Sequence, residues 1–470
     1  MRQKEIAVEL KNELLKQFEQ HFDTFAEGDS DYVKNKRRKA LDIFKELGFP
    51  SRNLEAWRKT DLSKVLSKDY DLNLGRKLAE DNIRDFFTCE INQFDTDLYT
   101  QVNGWWQDGT DFLKVYDNGT IVGSLKAAMT KYPELFEKHY GKYVSNEKNG
   151  LIALNSAFFS DGYFIYVPDG VEQERTLQMV NIINSKKHEF VNTRNLVILG
   201  KNAHLKLVHC DDSVEFKNSL INSVTEIFLD QGANLDYYKL QNKDEDAVIL
   251  TNTFVHQEAD TNFSSNTTVL NGGLVRNDTN VLLNGRGGNA DVMGLYLVDG
   301  YQFVDNHVYI DHAVSNCTSN TTFKGIADDF AKSVFNGHVL VRQDAQQTLA
   351  FQNNHNIQLT NTSKIDAHPF LEIYADDVKC SHGATVGQLD QEAMFYIMQR
   401  GICERNAKML LMLAFVGEVV NKIKLPSLRE YSHDLVTRRL KGELSACDQC
   451  SIQCADPDKP LVFEIDMSKV

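Results

Sequence analysis

Leu196-Val197-Ile198-Leu199, then Gly200-Lys201-Asn202, then Leu205-Lys206-Leu207-Val208: two short apolar-rich runs meet at a polar corner. Runs of this length, built from Val, Ile and Leu, fit strands and not helices. Gly and Asn tolerate positive φ, so the corner between them reads as a tight turn. The same alternation spreads in both directions. Phe164-Ile165-Tyr166-Val167 lies upstream, and Ile227-Phe228-Leu229 and Val281-Leu282-Leu283 lie downstream. The breaks fall at Asp230-Gln231-Gly232, Asn271-Gly272-Gly273, Asn284-Gly285-Arg286-Gly287 and Asp299-Gly300. No helical period interrupts the chain from about Leu151 to about Thr385, so βαβ units are not expected. Short strands rich in Val, Ile, Thr and Asn, with polar corners and runs such as Asn353-Asn354-His355-Asn356, fit a parallel β-helix. Its coils stack, and aligned polar side chains ladder at the corners. No strict hexapeptide period is present, and on pattern alone a large β-sandwich is the alternative.

Both ends have a different character. Ile6, Leu10, Leu14, Phe18 and Phe22 recur every four residues, and a second stripe runs through Leu41, Phe44 and Leu47. Each predicts one face of a helix, the second closed by Gly48 and Pro50. Ser124 to Tyr140 reads as short helical pieces with a boundary before Pro133. Past the β region, Asp390 is a candidate N-cap for a helix over Gln391–Arg400 that Gly401 closes. A strongly apolar helix over Glu404–Ile423 follows. Ser427 and Glu430 form a candidate capping box for a last helix, Leu428–Leu444. The expected organisation is a mostly helical region over 1–150, a β-helix core over 151–388 and a helical docking region over 389–470. An apolar helical tail of this kind either packs on the β unit or docks a partner.

Composition removes several classes of function. In 470 residues, 51 Lys and Arg face 66 Asp and Glu, a net charge of −15. That opposes a non-specific nucleic-acid binder and a polybasic membrane-surface protein. The longest apolar run, Met409–Val416, is far short of the ~20 residues that cross a bilayer. The charged start Met1-Arg2-Gln3-Lys4-Glu5 is unlike a secretory signal. A cytoplasmic location is expected, with the eight cysteines reduced. No G-x-x-x-x-G-K-[ST] phosphate loop is present, so no nucleotide is expected on this chain. Gly285-Arg286-Gly287-Gly288-Asn289-Ala290 only resembles a dinucleotide fingerprint.

Two segments carry candidate chemistry. In Val378-Lys379-Cys380-Ser381-His382-Gly383-Ala384-Thr385, Cys380 and His382 are two apart and would share one face of a strand. Thiolate and imidazole suit iron, zinc or iron–sulfur clusters, but two ligands do not close a site. The plainer reading is a buried thiol and a hydrogen-bonded turn histidine. The second segment is Cys447-Asp448-Gln449-Cys450-Ser451-Ile452-Gln453-Cys454, whose three cysteines either bind metal with an outside fourth ligand or form a redox-sensitive tail. Asp376-Asp377 as a glycosidase pair and Trp105-Trp106 as a sugar platform are weaker readings, the second set against a core or interface role.

The run from Asp376 to Gly387, with Phe395-Tyr396 and Arg400-Gly401-Ile402, closely resembles the SufB/SufD family, scaffold subunits of the SUF iron–sulfur cluster assembly system. The resemblance extends through Phe335–Val341, Gln352-Asn353-Asn354, Pro369–Ile373, Asn155–Phe159 and Gly162–Pro168. Gly48-Phe49-Pro50 and Glu55-Ala56-Trp57-Arg58-Lys59-Thr60 resemble the entry segment of the SufD branch, although relatives commonly carry an aromatic where Lys59 stands. Gly383 also points to that branch, since the SufB branch usually has an acidic residue there. The resemblance implies a right-handed parallel β-helix with helical ends and a non-catalytic role. It implies pairing with a SufB-like subunit, with His382, beside Cys380, at that interface, where a transient iron–sulfur cluster forms. It also implies docking of a SufC-like ATPase on the tail, through residues such as Phe395, Tyr396, Arg400, Leu410 and Phe415. The cysteines at 447, 450 and 454 are outside the family pattern. Self-pairing as a homodimer and a β-helix carbohydrate-active enzyme are the alternatives.

Overall fold

A computed structural model describes residues 2–72, 96–144, 149–184, 187–213, 219–243 and 245–441. Its centre is a parallel β-solenoid made of two ten-stranded sheets. Successive strands alternate between the sheets, so each coil gives one strand to each. In the first sheet His204–Ser213 pairs in parallel with Asn234–Asn242, which pairs with Asn262–Asn271. The series continues through Asn289–Val298, Thr318–Ala327 and Leu349–Gln358 to Lys379–Gly387. In the second sheet the series runs from Tyr163–Val167 through Glu189–Leu199 and onward to Lys332–Val341 and Lys364–Ile373.

The register explains the corners. Asn202, Gly232, Asp260, Gly287, Asn316 and Gln347 all hold positive φ, between 55° and 77°. They occupy one column, one residue per coil, tied coil to coil by Asn202 N to Gln231 O at 2.8 Å, Gly232 N to Ala259 O at 2.8 Å and Asp260 N to Arg286 O at 2.8 Å. Only Gly, and to a lesser degree Asn and Asp, adopts this conformation cheaply, which accounts for the polar breaks.

Inward-facing side chains fill the lumen. Val197 and Leu199 point into it beside Leu205, Leu207, Ile227 and Leu229. Leu196 and Ile198 point outward and are also buried, under Leu125, Phe136 and Phe159. Both faces of that strand are covered, so its sequence is a continuous apolar run. Val208 and Cys210, outward on the other sheet, are covered by Val416, Val419 and Val420 of the tail. Asn266 Nδ2 donates to Val419 O at 3.0 Å, and Lys324 pairs with Glu418 at 2.5 Å. The tail helices Glu404–Val420 and Pro426–Lys441 therefore pack mainly on the β unit.

The N-terminal helices Arg2–Phe25 and Asp31–Leu47 follow the expected stripes, with Leu14, Phe18, Phe22 and Phe44 buried and Gly48 closing the second at φ 64°. Within the region read as mostly helical, the short strands Thr96–Val102, Trp105–Trp106, Leu113–Val115 and Ile121–Ser124 extend both sheets. Two expectations need correction. Gly150–Phe158, read as the start of the β region, is a helix with every residue buried, so it has no polar face to give a period. The last helix starts at Pro426, with Arg429 N donating to Leu425 O at 2.9 Å, so Ser427 lies inside it and is no N-cap. Trp106 is core, its Nε1 donating to Gly162 O at 2.7 Å, which removes the sugar platform.

One buried ion cluster fastens the N-terminal segment to the solenoid. Arg276 lies 3.8 Å from the Trp57 ring centre, binds both oxygens of Asp278, and reaches Asp305 and Ala56 O at 2.8 Å. Arg276→Leu leaves Asp305 without its buried partner and should cost about 3–5 kcal/mol locally. Limited trypsin digestion should then cut after Arg58 or Lys59 markedly faster than in the parent chain. Buried His312, with Nε2 2.8 Å from Ser319 Oγ, is pushed down to about 4 by burial. The folded protein keeps it neutral, so its contribution is intact above pH 6.5 and lost as pH falls toward 4, about 3 kcal/mol in full. Urea midpoints measured between those values should fall less steeply in His312→Gln.

Candidate functional site at the open end of the solenoid

The last coil is Lys364–Ile373 and Lys379–Gly387, and each strand has a neighbour on one side only. Among the described residues no further coil or cap covers it. The helix that follows, Gln391–Met398, has no buried residue. Register with Ser333, Phe335, Gly337, Val339 and Val341 turns Ile365, Ala367, Pro369, Leu371 and Ile373 inward. Register with Ala350, Gln352, Asn354 and Asn356 does the same for Cys380, His382, Ala384 and Val386. In earlier coils these positions are core. Here Ile373 is 40% and Val386 46% exposed. Two unpaired strand edges beside exposed apolar side chains form a surface built to be covered.

Cys380 and His382 do share one face, as their spacing predicts. Cys380 is half-buried against the lumen core over Ala350, and burial pushes its thiol up. His382 is exposed and makes no hydrogen bond or ion pair among the described residues. No group of three or more His, Cys, Asp or Glu among the described residues could hold a metal. Cys380 and His382 are therefore an incomplete ligand set. Cys447, Cys450 and Cys454 lie outside the described residues. Asp376 and Asp377 sit on a bend before the last strand, both exposed, where Asp377 O accepts from Gln347 N at 2.6 Å.

Around the rim, Phe370 and Tyr374 are exposed on the outer face. The Phe370 ring lies 4.8 Å from that of His338, whose Nε2 is 3.2 Å from Glu372 Oε2. Sequence reading missed this apolar rim, because its residues look like ordinary core positions until the register shows that nothing stacks on them.

Of the tail residues singled out, Phe395 is 63% and Tyr396 59% exposed. Arg400 stacks over the Tyr396 ring at 4.4 Å. Asp390 caps their helix, its Oδ1 accepting from Glu392 N and Ala393 N at 2.9 and 3.0 Å. Leu410 is half-buried. Phe415 is half-buried against the solenoid with Lys324 Nζ 4.5 Å from its ring centre. The structure thus separates an outward-facing first tail helix from a second that is largely occupied.

A parallel solenoid with helical ends leaves, at its uncovered end, a thiol–imidazole pair too small to close a ligand set among the described residues. Comparison with known proteins makes this specific. Residues 181–415 match the family described as "SUF system FeS cluster assembly, SufBD core domain", and residues 8–179 match the "SufBD protein N-terminal region". The chain belongs to the SufBD family. It is 27% identical to an iron–sulfur cluster assembly SufBD family protein of Synechocystis over 88% of this chain and 90% of that one. It is 24% identical to the iron–sulfur cluster assembly protein SufD of Bacillus subtilis over 87% and 94% of the two chains. It is 29% identical to SufD of Escherichia coli over 59% and 66%. No helix among the described residues is long and apolar enough to cross a membrane.

Thiol exposure tests the description of the site. Cys403 is exposed, Cys380 half-buried, and Cys210 and Cys317 are buried. In iodoacetamide time courses read by mass spectrometry at neutral pH, Cys403 should react before the other three of these, Cys380 more slowly, and Cys210 and Cys317 only on unfolding.

Proposed function

We propose that this chain is a non-catalytic scaffold subunit of a SufBCD-type complex and helps to build iron–sulfur clusters at the open end of its solenoid. The observation that carries this reading is His382, exposed on the lumen-facing side of an uncovered last coil, with too few neighbours to form a closed site. A SufB-like subunit stacks on that end. It pairs the free strand edges, covers Ile373 and Val386, and brings the remaining ligands. The nascent cluster is cargo, held transiently between the two subunits. His382 contributes an imidazole nitrogen, a ligand suited to iron, and Cys380 a second donor set deeper. Thiolate formation at Cys380 is opposed by its burial until a metal or cationic partner arrives.

The work of remodelling comes from a SufC-like ATPase, since this sequence carries no phosphate loop. That partner docks on the tail. Phe395, Tyr396 and Arg400 give it an aromatic–cationic face, and Leu410 and Phe415 line the adjoining helix. In this reading residues 389–470 are the docking arm of a core spanning 151–388, the complex is cytoplasmic, and the cysteines at 447, 450 and 454 offer an accessory metal site. Family membership and the incomplete ligand set both favour this reading over sugar cleavage by Asp376 or Asp377, which are exposed on a bend.

The test is co-expression with SufB-like and SufC-like partners, purification through this chain, and anaerobic iron and sulfide analysis. The parent chain should bring both partners and carry iron with sulfide. His382→Ala should bring the partners and lose most of the iron and sulfide. Normal cluster content in that variant would sink the site assignment. Recovery of the chain as a pair of identical copies, with neither partner, would favour the homodimer instead.

A further inference from the structure

Beneath His382 lies a buried carbonyl oxygen with no hydrogen-bond partner among the described residues. One ladder of inward positions runs Val292, Thr321, Gln352, His382 through four successive coils, in direct register. Gln352 is 1% exposed. Its Nε2 donates to Gly337 O, on the opposite sheet, at 3.2 Å. Its Oε1 is buried and accepts from nothing among the described residues. The amide fits only because residue 337 is glycine, where a Cβ would fall 2.2 Å from Oε1 and 2.7 Å from Nε2. An orphaned buried carbonyl has lost its hydration with nothing in return, so such a group is normally matched once its surroundings are complete.

The last coil supplies few donors. Its inward positions are Ile365, Ala367, Pro369, Leu371, Ile373, Cys380, His382, Ala384 and Val386. Only His382 and Cys380 carry a polar hydrogen, and Cys380 stacks on Ala350 instead of Gln352. Thr321, one coil deeper, has an unpartnered Oγ1 of its own. Neighbouring strands are ~4.8 Å apart, so the imidazole of His382 can fold down onto the glutamine amide.

We propose that Gln352 is a positioning residue for His382. Its Oε1 accepts one ring N–H of His382, which fixes the tautomer and leaves the lone pair of the other ring nitrogen directed out of the open end toward a soft metal or cluster. Gly337 is required because it admits the amide. This assignment rests on the scaffold reading for its biological consequence, not for its test.

The test uses the full-length chain with 15N-labelled histidine. The His382 signals are those lost in His382→Ala. Long-range 1H–15N spectra should show one tautomer at His382 in the parent chain, and the mixed proportions of a free imidazole in Gln352→Met. Gly337→Ala, which must displace the amide without changing Gln352, should shift the proportions the same way. Free-imidazole proportions in the parent chain overturn the assignment, as does an unchanged pattern in Gln352→Met. If both variants fail to fold, the parent spectrum decides alone. In the complex with its partners, Gln352→Met should hold iron about 10–100-fold more weakly, the usual effect of losing a residue that orients a ligand. A single tautomer in a parent complex that binds no iron would sink the scaffold reading and leave the histidine–glutamine pair standing.

Discussion

The structure depends on in-register hydrogen bonding between coils. Each strand is satisfied by the strand one coil before and one coil after, and almost nothing else in the solenoid reaches farther. The two ladders are continuous from the first coils to the last. A lattice of this kind has two ends, and each leaves a row of unpaired backbone groups and an unfinished lumen. At the start, antiparallel strands extend both sheets, and Tyr99, Trp106 and Phe112 pack onto the lumen core. At the finish nothing among the described residues does so. The asymmetry between a sealed end and an open one is what turns a repetitive scaffold into a protein with one polar site.

Sheet faces obey the same logic. Each face not turned to the lumen must be covered or made polar. The helices near Leu125 and Phe136 cover one side of the early coils, and the tail helices cover the other sheet. That cover thins toward the last coils, and Leu349–Gln358 alternates cleanly between exposed and buried residues along most of its length. Arg276, buried between Trp57, Asp278 and Asp305, adds a polar fastening where apolar cover gives out. Its charge is matched on two sides, as burial of a guanidinium demands.

Much of this was legible in the sequence, for identifiable reasons. Corner residues such as Asn202 and Asp260 announce themselves because a left-handed backbone conformation selects them. The stripe through Leu14, Phe18 and Phe22 is visible because one face of its helix meets solvent. Gly150–Phe158 hid because burial on all sides erases periodicity. Strands at Thr96–Val102 and Ile121–Ser124 hid among charged residues, since their partners are remote in sequence. Coil length also hid, because coils of about thirty residues vary at their loops while the strand registers stay fixed. Cys380 and His382 were found from a two-residue spacing, yet their location at an uncovered end is a property of register. The meaning of Gly337 is likewise invisible until Gln352 is seen across the lumen from it.

The column of left-handed corners has one more consequence. Because it advances by one residue per coil and tolerates no partial step, the solenoid grows only in whole units of ~4.8 Å. Adding or deleting a coil would translate the open end relative to the first coils by that fixed increment. The solenoid is therefore a ruler with discrete graduations, and the position of its open end is set by counting coils.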